Sequence, residues 1–274
     1  MSDLELTRRA REVAEQAALQ AGVLLMKAYR NVEAREKGPA DLVTDADTAS
    51  QRLIAEILFN AFPDHTLLAE EDGVLPDPNN PWRWVVDPLD GTVNFAHGVP
   101  LWCVSIGLEH RGQPVVGVVN APTANLLYSA ALGQGATENG RPATVSTTRH
   151  LAESLLVTGM PTNFADDAAR QLALFGRFST GTHSVRRTGC SAWNLALVAS
   201  GGYEACYATA MNPWDAAAGV ALIREAGGVV TDLHGGPFDL YTSSILASNG
   251  RVHDEAVAAA RLACESAERS PGYR

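Results

Sequence analysis

The hydrophobic rhythm of this chain changes once, near residue 150, and that change limits the folds open to it. Before it, Leu6, Ala10, Val13, Ala17, Ala21, Leu24 and Ala28 recur at helical spacing and predict one long amphipathic helix. Ser2 and Glu5 stand ahead of it at capping-box spacing. A break follows at Lys37-Gly38-Pro39, and a second helix begins over 44–47 with Ala49, Leu53, Ile57 and Ala61 along one face and Pro63 beyond its end. Short strands are expected at 66–69 and 82–86, then a meander of strands at 102–108, 115–120 and 126–132 that turns at 111–112 and 121–125. Asn139-Gly140 marks a further hairpin. From about 150 the pattern alternates: strands at 155–159, 184–187, 203–208, 229–232 and 245–248, and helices at 166–178, 191–200, 216–226 and 252–268. Helices and an antiparallel sheet followed by βα alternation predict two tightly packed subdomains, 1–150 and 151–274. No Gly/Ser linker, repeat or low-complexity tract separates them.

A chain of 274 residues, 46% hydrophobic, can bury a substantial core. Its net charge of −10 gives no electrostatic support to nucleic-acid binding, and no basic run is present. Cys103, Cys190, Cys206 and Cys264 form no CxxC pair and no metal-like spacing, so a reduced, cytoplasmic protein is expected. The charged N-terminus reads as helix rather than as a targeting signal, and no apolar run is long enough to span a bilayer.

The chemistry is concentrated in WVVDPLDGTVNF, residues 84–95. Asp87 and Asp90 follow an apolar strand, so they are expected at a sheet edge, on a turn that Pro88 stiffens. Gly91-Thr92 would open a short helix whose first N–H groups attract anions. Carboxylates beside an anion site repel a phosphate, and a divalent cation between them removes the conflict. The same residues also make an ordinary Asp-Pro turn with an Asp cap. Three further acidic groups occupy element ends: Glu70-Glu71 after a strand, Asp41, Asp45 and Asp47 before a helix, and Asp215 as an expected helix cap in NPWDAA. Together they look like the parts of a multi-metal phosphate site.

These residues resemble the inositol monophosphatase family. Residues 84–95 are similar to its apolar-DPxDGTxN signature, and WDAAAG at 214–219, followed by GGVVTD at 227–232, to its second. The resemblance runs from the first helix to about residue 250. It implies a layered α-β-α-β-α sandwich, usually as a homodimer, that needs two to three Mg²⁺ ions and is often inhibited by lithium. It implies that Glu70, Asp87 and the carbonyl of Leu89 hold a first ion, that Asp87, Asp90 and Asp215 hold a second, and that a weaker third sits near Glu70. Thr92, hydrogen-bonded by Asp47, and Glu70 would orient and deprotonate the attacking water, and the amides of Gly91 and Thr92 would hold the phosphate. Asp90, Gly189, Cys190, Ser191 and Asp215 would face the substrate.

The expected activity is Mg²⁺-dependent hydrolysis of a small phosphomonoester, with inositol monophosphate first. Fructose-1,6-bisphosphate, histidinol phosphate and adenosine 3′,5′-bisphosphate are alternatives, as is a non-catalytic metal-binding regulatory protein of the same fold. Ala208 stands where the family places a Glu that contacts inositol, and Ala offers no side-chain acceptor. Glu204 could compensate only by a slip of register. Arg186 and Arg187 read as solvated charges at a strand end or as one contact to a second phosphate or sugar oxygen, Lys37 as local charge balance or a phosphate contact, His97 as a helix-surface or packing residue, and Trp193 and Trp214 as core. A helix N-terminus at Cys190 would lower its thiol pKa, but without an activating base the residue is expected as a small one lining the site.

Overall fold

The computed structural model describes residues 3–31, 34–38, 41–71, 80–160, 164–241 and 244–269, with the backbone alone at 34, 37, 38, 41 and 42. The side chains of Ser2, Lys37 and Asp41 therefore lie outside the described residues. The chain opens with helix α1 (Asp3–Ala28), the hairpin β1 (Ala34–Gly38) and β2 (Asp41–Thr44), and helix α2 (Asp45–Ala61). Seven strands build the first sheet: β3 (Thr66–Ala69), β4 (Trp82–Asp90), β5 (Cys103–His110), β6 (Gln113–Ala121), β7 (Leu126–Ala131), β8 (Ala136–Glu138) and β9 (Arg141–Ala143). They lie in sequence order, antiparallel except for β3 beside β4. The one-turn helix α3 (Thr92–Ala96) follows β4.

The second half supplies β10 (Leu155–Thr158), α4 (Ala168–Gly181), β11 (Ser184–Arg186), α5 (Ser191–Ala199), β12 (Ala205–Ala208), α6 (Pro213–Glu225), β13 (Val229–Thr231), β14 (Ile245–Ser248) and α7 (His253–Glu268). Its five strands order as β11-β10-β12-β14-β13, with β10 parallel to both neighbours and β14 antiparallel to both of its own.

Three apolar clusters bind five layers. Ala10, Ala14, Ala17 and Ala21 of α1 and Ile54 and Leu58 of α2 pack on Trp84, Ile106 and Val118 of the large sheet. Leu195 and Val198 of α5 and Ala217 and Val220 of α6 fill the space between Val119 on one sheet and Cys206 and Ala247 on the other. Leu174 and Phe178 of α4 and Ala256 and Ala260 of α7 close the outer face of the small sheet. The expected α-β-α-β-α sandwich is the observed architecture. Among the described residues no helix is long and apolar enough to cross a membrane.

Two close approaches set the middle layer. A Cβ on Gly117 would lie 2.1 Å from the Ala218 carbonyl oxygen, and one on Gly107 2.6 Å from Ala217 Cβ. Only glycine on β5 and β6 lets α6 lie this flat on the sheet.

The β1–β2 hairpin between the two helices was not foreseen, and three local expectations need correction. Strand β4 continues through Asp87, Pro88, Leu89 and Asp90, with a bulge against β5 between Asp87 and Asp90. The two carboxylates thus belong to the end of a strand flanked by β3 and β5, where Pro88 is accommodated at the bulge. The buried ridge of α2 is Ala46, Asp47, Ser50, Gln51, Ile54 and Leu58, while Ala49 is exposed. Helix α6 starts at Pro213 with Asn212 as its N-cap, which puts Asp215 inside the first turn.

Candidate active site

The end of β4, the start of α3, the N-termini of α5 and α6 and the polar side of α2 meet at one place. The bulge carries Asp87, whose Oδ1 accepts the Leu89 N–H at 2.9 Å. Asp90, three residues on, accepts the Ala192 N–H on Oδ2 at 2.7 Å, so the start of α5 is tied to the end of β4. Asp215 comes in from the first turn of α6. Asp87, Asp90 and Asp215 bring carboxylate oxygens within 4.8 Å of one another. Glu70 stands just after β3, outside that set, and its charge acts on both Asp87 and Asp215.

The electrostatics record the crowding. Burial, followed by the charges of Glu70, Asp90 and Asp215, pushes Asp87 well above the usual carboxylate range. Burial and the neighbouring Asp90 carry Asp215 up to about 8. Asp90 is raised by burial, against the bonds it receives from Cys190 and Ala192. An all-oxygen donor set of this charge fits a hard divalent cation, which takes carboxylate and carbonyl ligands. These residues suit the divalent ions that the resemblance implies.

Next to the carboxylates, Gly91 holds a left-handed backbone (φ 89°), and a Cβ there would meet the Leu101 carbonyl oxygen at 2.8 Å. Glycine is the residue that makes this turn without strain. The Thr92 hydroxyl has two acceptors in reach, Leu89 O at 2.9 Å and Asp47 Oδ1 at 3.2 Å. Asp47 is fully buried, and its Oδ2 accepts the Thr44 N–H at 2.9 Å and the Thr44 hydroxyl at 2.5 Å. It is thus half of the α2 capping box as well as Thr92's partner. Burial raises its pKa against these bonds.

The polar ridge of α2 braces the site beyond Asp47. Ser50 Oγ donates to the Pro88 carbonyl at 2.9 Å, and Gln51 Oε1 accepts the Glu71 N–H at 3.0 Å. Sequence reading missed both. Their i, i+3, i+4 spacing from Asp47 was the available signal, masked by the assumption that a buried helix face is apolar. Asn94 was also missed as a site residue. Its Nδ2 donates toward Leu101 O (2.7 Å), Thr188 O (2.9 Å) and Gly189 O (3.3 Å), so α3 holds the loop before α5.

Gly189, Cys190 and Ser191 form that loop and the first residue of α5, with Cys190 as N-cap. The Cys190 thiol is not activated. Burial, with the Cys103 bond and the Asp90 charge, drives its pKa well above the thiol range. This reverses the shift expected from a helix N-terminus, because desolvation and a facing carboxylate outweigh the dipole. Ala208 is buried at the end of β12. Glu204 cannot stand in for the missing Glu, since its Oε2 accepts the Leu155 N–H at 2.7 Å and its Oε1 the Thr148 hydroxyl at 3.1 Å. Arg186, Arg187 and His97 are exposed, Trp193 is buried, and Trp214 packs partly buried against the middle core.

The sequence profile of the inositol monophosphatase family matches residues 7–266. An inositol-1-monophosphatase of Synechocystis is 45% identical over 246 residues, covering 89% of this chain and 86% of that protein. The Nus factor SuhB of Escherichia coli is 40% identical, covering 88% and 91%. The solved inositol monophosphatase of Anabaena superposes with a TM-score of 0.86 at 40% identity, covering 93% of this chain and 96% of that one. With the profile spanning nearly its whole length, this chain belongs to the inositol monophosphatase family of phosphoric monoester hydrolases.

Proposed function

We propose that this protein is a Mg²⁺-dependent phosphatase of small phosphomonoesters, with inositol 1-phosphate as its leading substrate. The observation that carries the reading is the convergence of Asp87, Asp90 and Asp215 beside the Thr92–Asp47 pair. Glu70, Asp87 and the Leu89 carbonyl would hold one ion, Asp87, Asp90 and Asp215 a second, with a weaker third near Glu70. Bound there, the ions supply acidity toward water and neutralise charge on the phosphoryl group.

The chain's own residues do the rest. Thr92 has one hydroxyl proton and two acceptors. With its hydroxyl proton donated to Asp47, the Thr92 oxygen would be left to accept from an attacking water, and the Leu89 carbonyl would be free to serve as an ion ligand. Glu70 takes the water's other proton. Phosphoryl transfer needs chiefly alignment and charge neutralisation, so no covalent nucleophile is required. The amides of Gly91 and Thr92, at a helix start, are proposed phosphate contacts. Gly189, Cys190, Ser191, Asp90 and Asp215 line the substrate side.

The inositol reading is supported by the names of the Synechocystis and Anabaena relatives. The same reading treats 1–150 and 151–274 as two subdomains, each with its own sheet, and the molecule as a cytoplasmic homodimer. Four cysteines without a disulfide agree with a reducing compartment. The test is phosphate release with Mg²⁺ and with EDTA from inositol 1-phosphate, fructose-1,6-bisphosphate, histidinol phosphate and adenosine 3′,5′-bisphosphate. Mg²⁺-dependent turnover led by inositol 1-phosphate is expected. Preference for another ester would overturn the substrate, and no turnover on any, with metal shown to bind, would favour an unlisted phosphoester or the non-catalytic metal-binding reading.

A further inference from the structure

Asp90 faces two different sets of donors. On one side are the oxygens of Asp87 and Asp215. On the other are two thiols, from Cys103 at the start of β5 and Cys190 at the N-cap of α5. Cys190 Sγ lies 3.1 Å and Cys103 Sγ 3.7 Å from Asp90 Oδ2, and the two sulfurs are 3.6 Å apart. The cysteines are 87 residues apart, which is why spacing along the chain did not reveal them.

The triangle has the dimensions of a coordination face. A tetrahedral ion with bonds of about 2.3 Å to sulfur and about 2.0 Å to oxygen separates its sulfurs by roughly 3.8 Å and each sulfur from the oxygen by roughly 3.5 Å. The two observed sulfur–oxygen edges fall on either side of that value, and the sulfur–sulfur edge of 3.6 Å is slightly shorter than its ideal. The donors are also held in place: Asp90 Oδ2 is fixed by the Ala192 N–H at 2.7 Å, and Asp90 and Cys103 are register partners on β4 and β5. Fixed outer partners of this kind orient ligands for a metal. Both cysteines and Asp90 are buried, and the neighbouring Asp215 is half-buried.

We infer that Asp90, Cys103 and Cys190 form a second cation site, selective for thiophilic divalent ions such as Zn²⁺ and Cd²⁺. Two sulfurs and one oxygen favour a soft or borderline ion, whereas the carboxylate set favours a hard one. Coordination displaces the two thiol protons to solvent and leaves a site of two thiolates and one carboxylate around the ion. The two sites share Asp90. An ion on the sulfur side claims a carboxylate that the oxygen side also needs, so thiophilic ions would act as inhibitors of the phosphatase; that consequence rests on the proposed function, while the binding does not.

The test is a Cd²⁺ titration of the reduced, EDTA-treated full chain, read by the sulfur-to-metal charge-transfer band in the ultraviolet, which needs no turnover. The wild type is expected to give a saturable band. Cys103→Ala, Cys190→Ala and Asp90→Asn should each raise the dissociation constant at least ~10-fold, with thermal melts confirming that each variant folds. X-ray absorption of the Zn²⁺-loaded wild type should count two sulfur neighbours, which keeps the test independent of how the variants fold. No band in the wild type, an all-oxygen zinc shell, or unchanged affinity in both cysteine variants, which would assign the band to Cys206 or Cys264, overturns the site.

Discussion

Each of the three clustered carboxylates is held in place by the backbone and repelled by its neighbours, and removal of one charge separates these effects. In Asp90→Asn the amide oxygen can still accept the Ala192 N–H, while its NH₂ group donates toward the remaining acids. The variant is expected to melt at a higher temperature than wild type in EDTA, and to lose Mg²⁺ binding and activity together. Melts and Mg²⁺ titrations on the same sample check both. The sign of the pH dependence follows from Asp215, raised from 3.8 unfolded to about 8 in the cation-free fold. Between these values the folded state keeps a proton that the unfolded state has lost. Its stabilising contribution is complete below about 3.8, declines as pH rises, and is gone above about 8. Melting temperature in EDTA should therefore fall across that window and fall less in Asp90→Asn. A flat wild-type profile would contradict the crowding.

At the scale of elements, the site depends on how closely α6 lies against the large sheet. Gly117→Ala puts a Cβ into the Ala218 carbonyl, and the helix must lift. Overpacking of this kind costs about 1–3 kcal/mol. Because Asp215 sits in the first turn of α6, Mg²⁺ affinity should drop as well, although Gly117 touches none of the site acids. A melt together with a Mg²⁺ titration decides whether the two losses travel together. Most elements and both signatures were legible in the sequence because apolar periodicity and turn residues are local. What was not legible has a common cause. The AREKG stretch of β1 carries no apolar alternation, so its pairing with β2 left no hydrophobic trace. The ridge Asp47-Ser50-Gln51 is buried through hydrogen bonds to Thr92, Pro88 and Glu71, partners far away along the chain. The Cys103–Cys190 contact joins β5 to α5. Such features belong to tertiary structure, and periodicity is silent on them.

At the scale of the whole molecule, the carboxylates lie where the layers join: Asp87 and Asp90 on the large sheet, Asp215 on the helical layer between sheets, with Asp90 bonded to the start of α5. A cation there ties layers to each other as well as filling a site. Mg²⁺ at 100 times its dissociation constant adds about 2.7 kcal/mol, which should raise the melting temperature of a chain this long by roughly 5–10 °C. Differential scanning calorimetry with and without Mg²⁺ tests it, and a shift confined to a minor early transition would show that the ion does not couple the layers.

The flat seat of α6 on β5 and β6 also has a meaning in time. These two strands are buried along nearly their whole length, with α1 over one face and α6 over the other. Their amides have no local route to water, so they exchange hydrogen only when the entire molecule opens. The Gly189 carbonyl, by contrast, is held by the longest of Asn94's three bonds and lies on an exposed residue. The protein thus runs on two clocks, a slow one in the strands on which α6 and the site are seated and a fast one in the loop before α5.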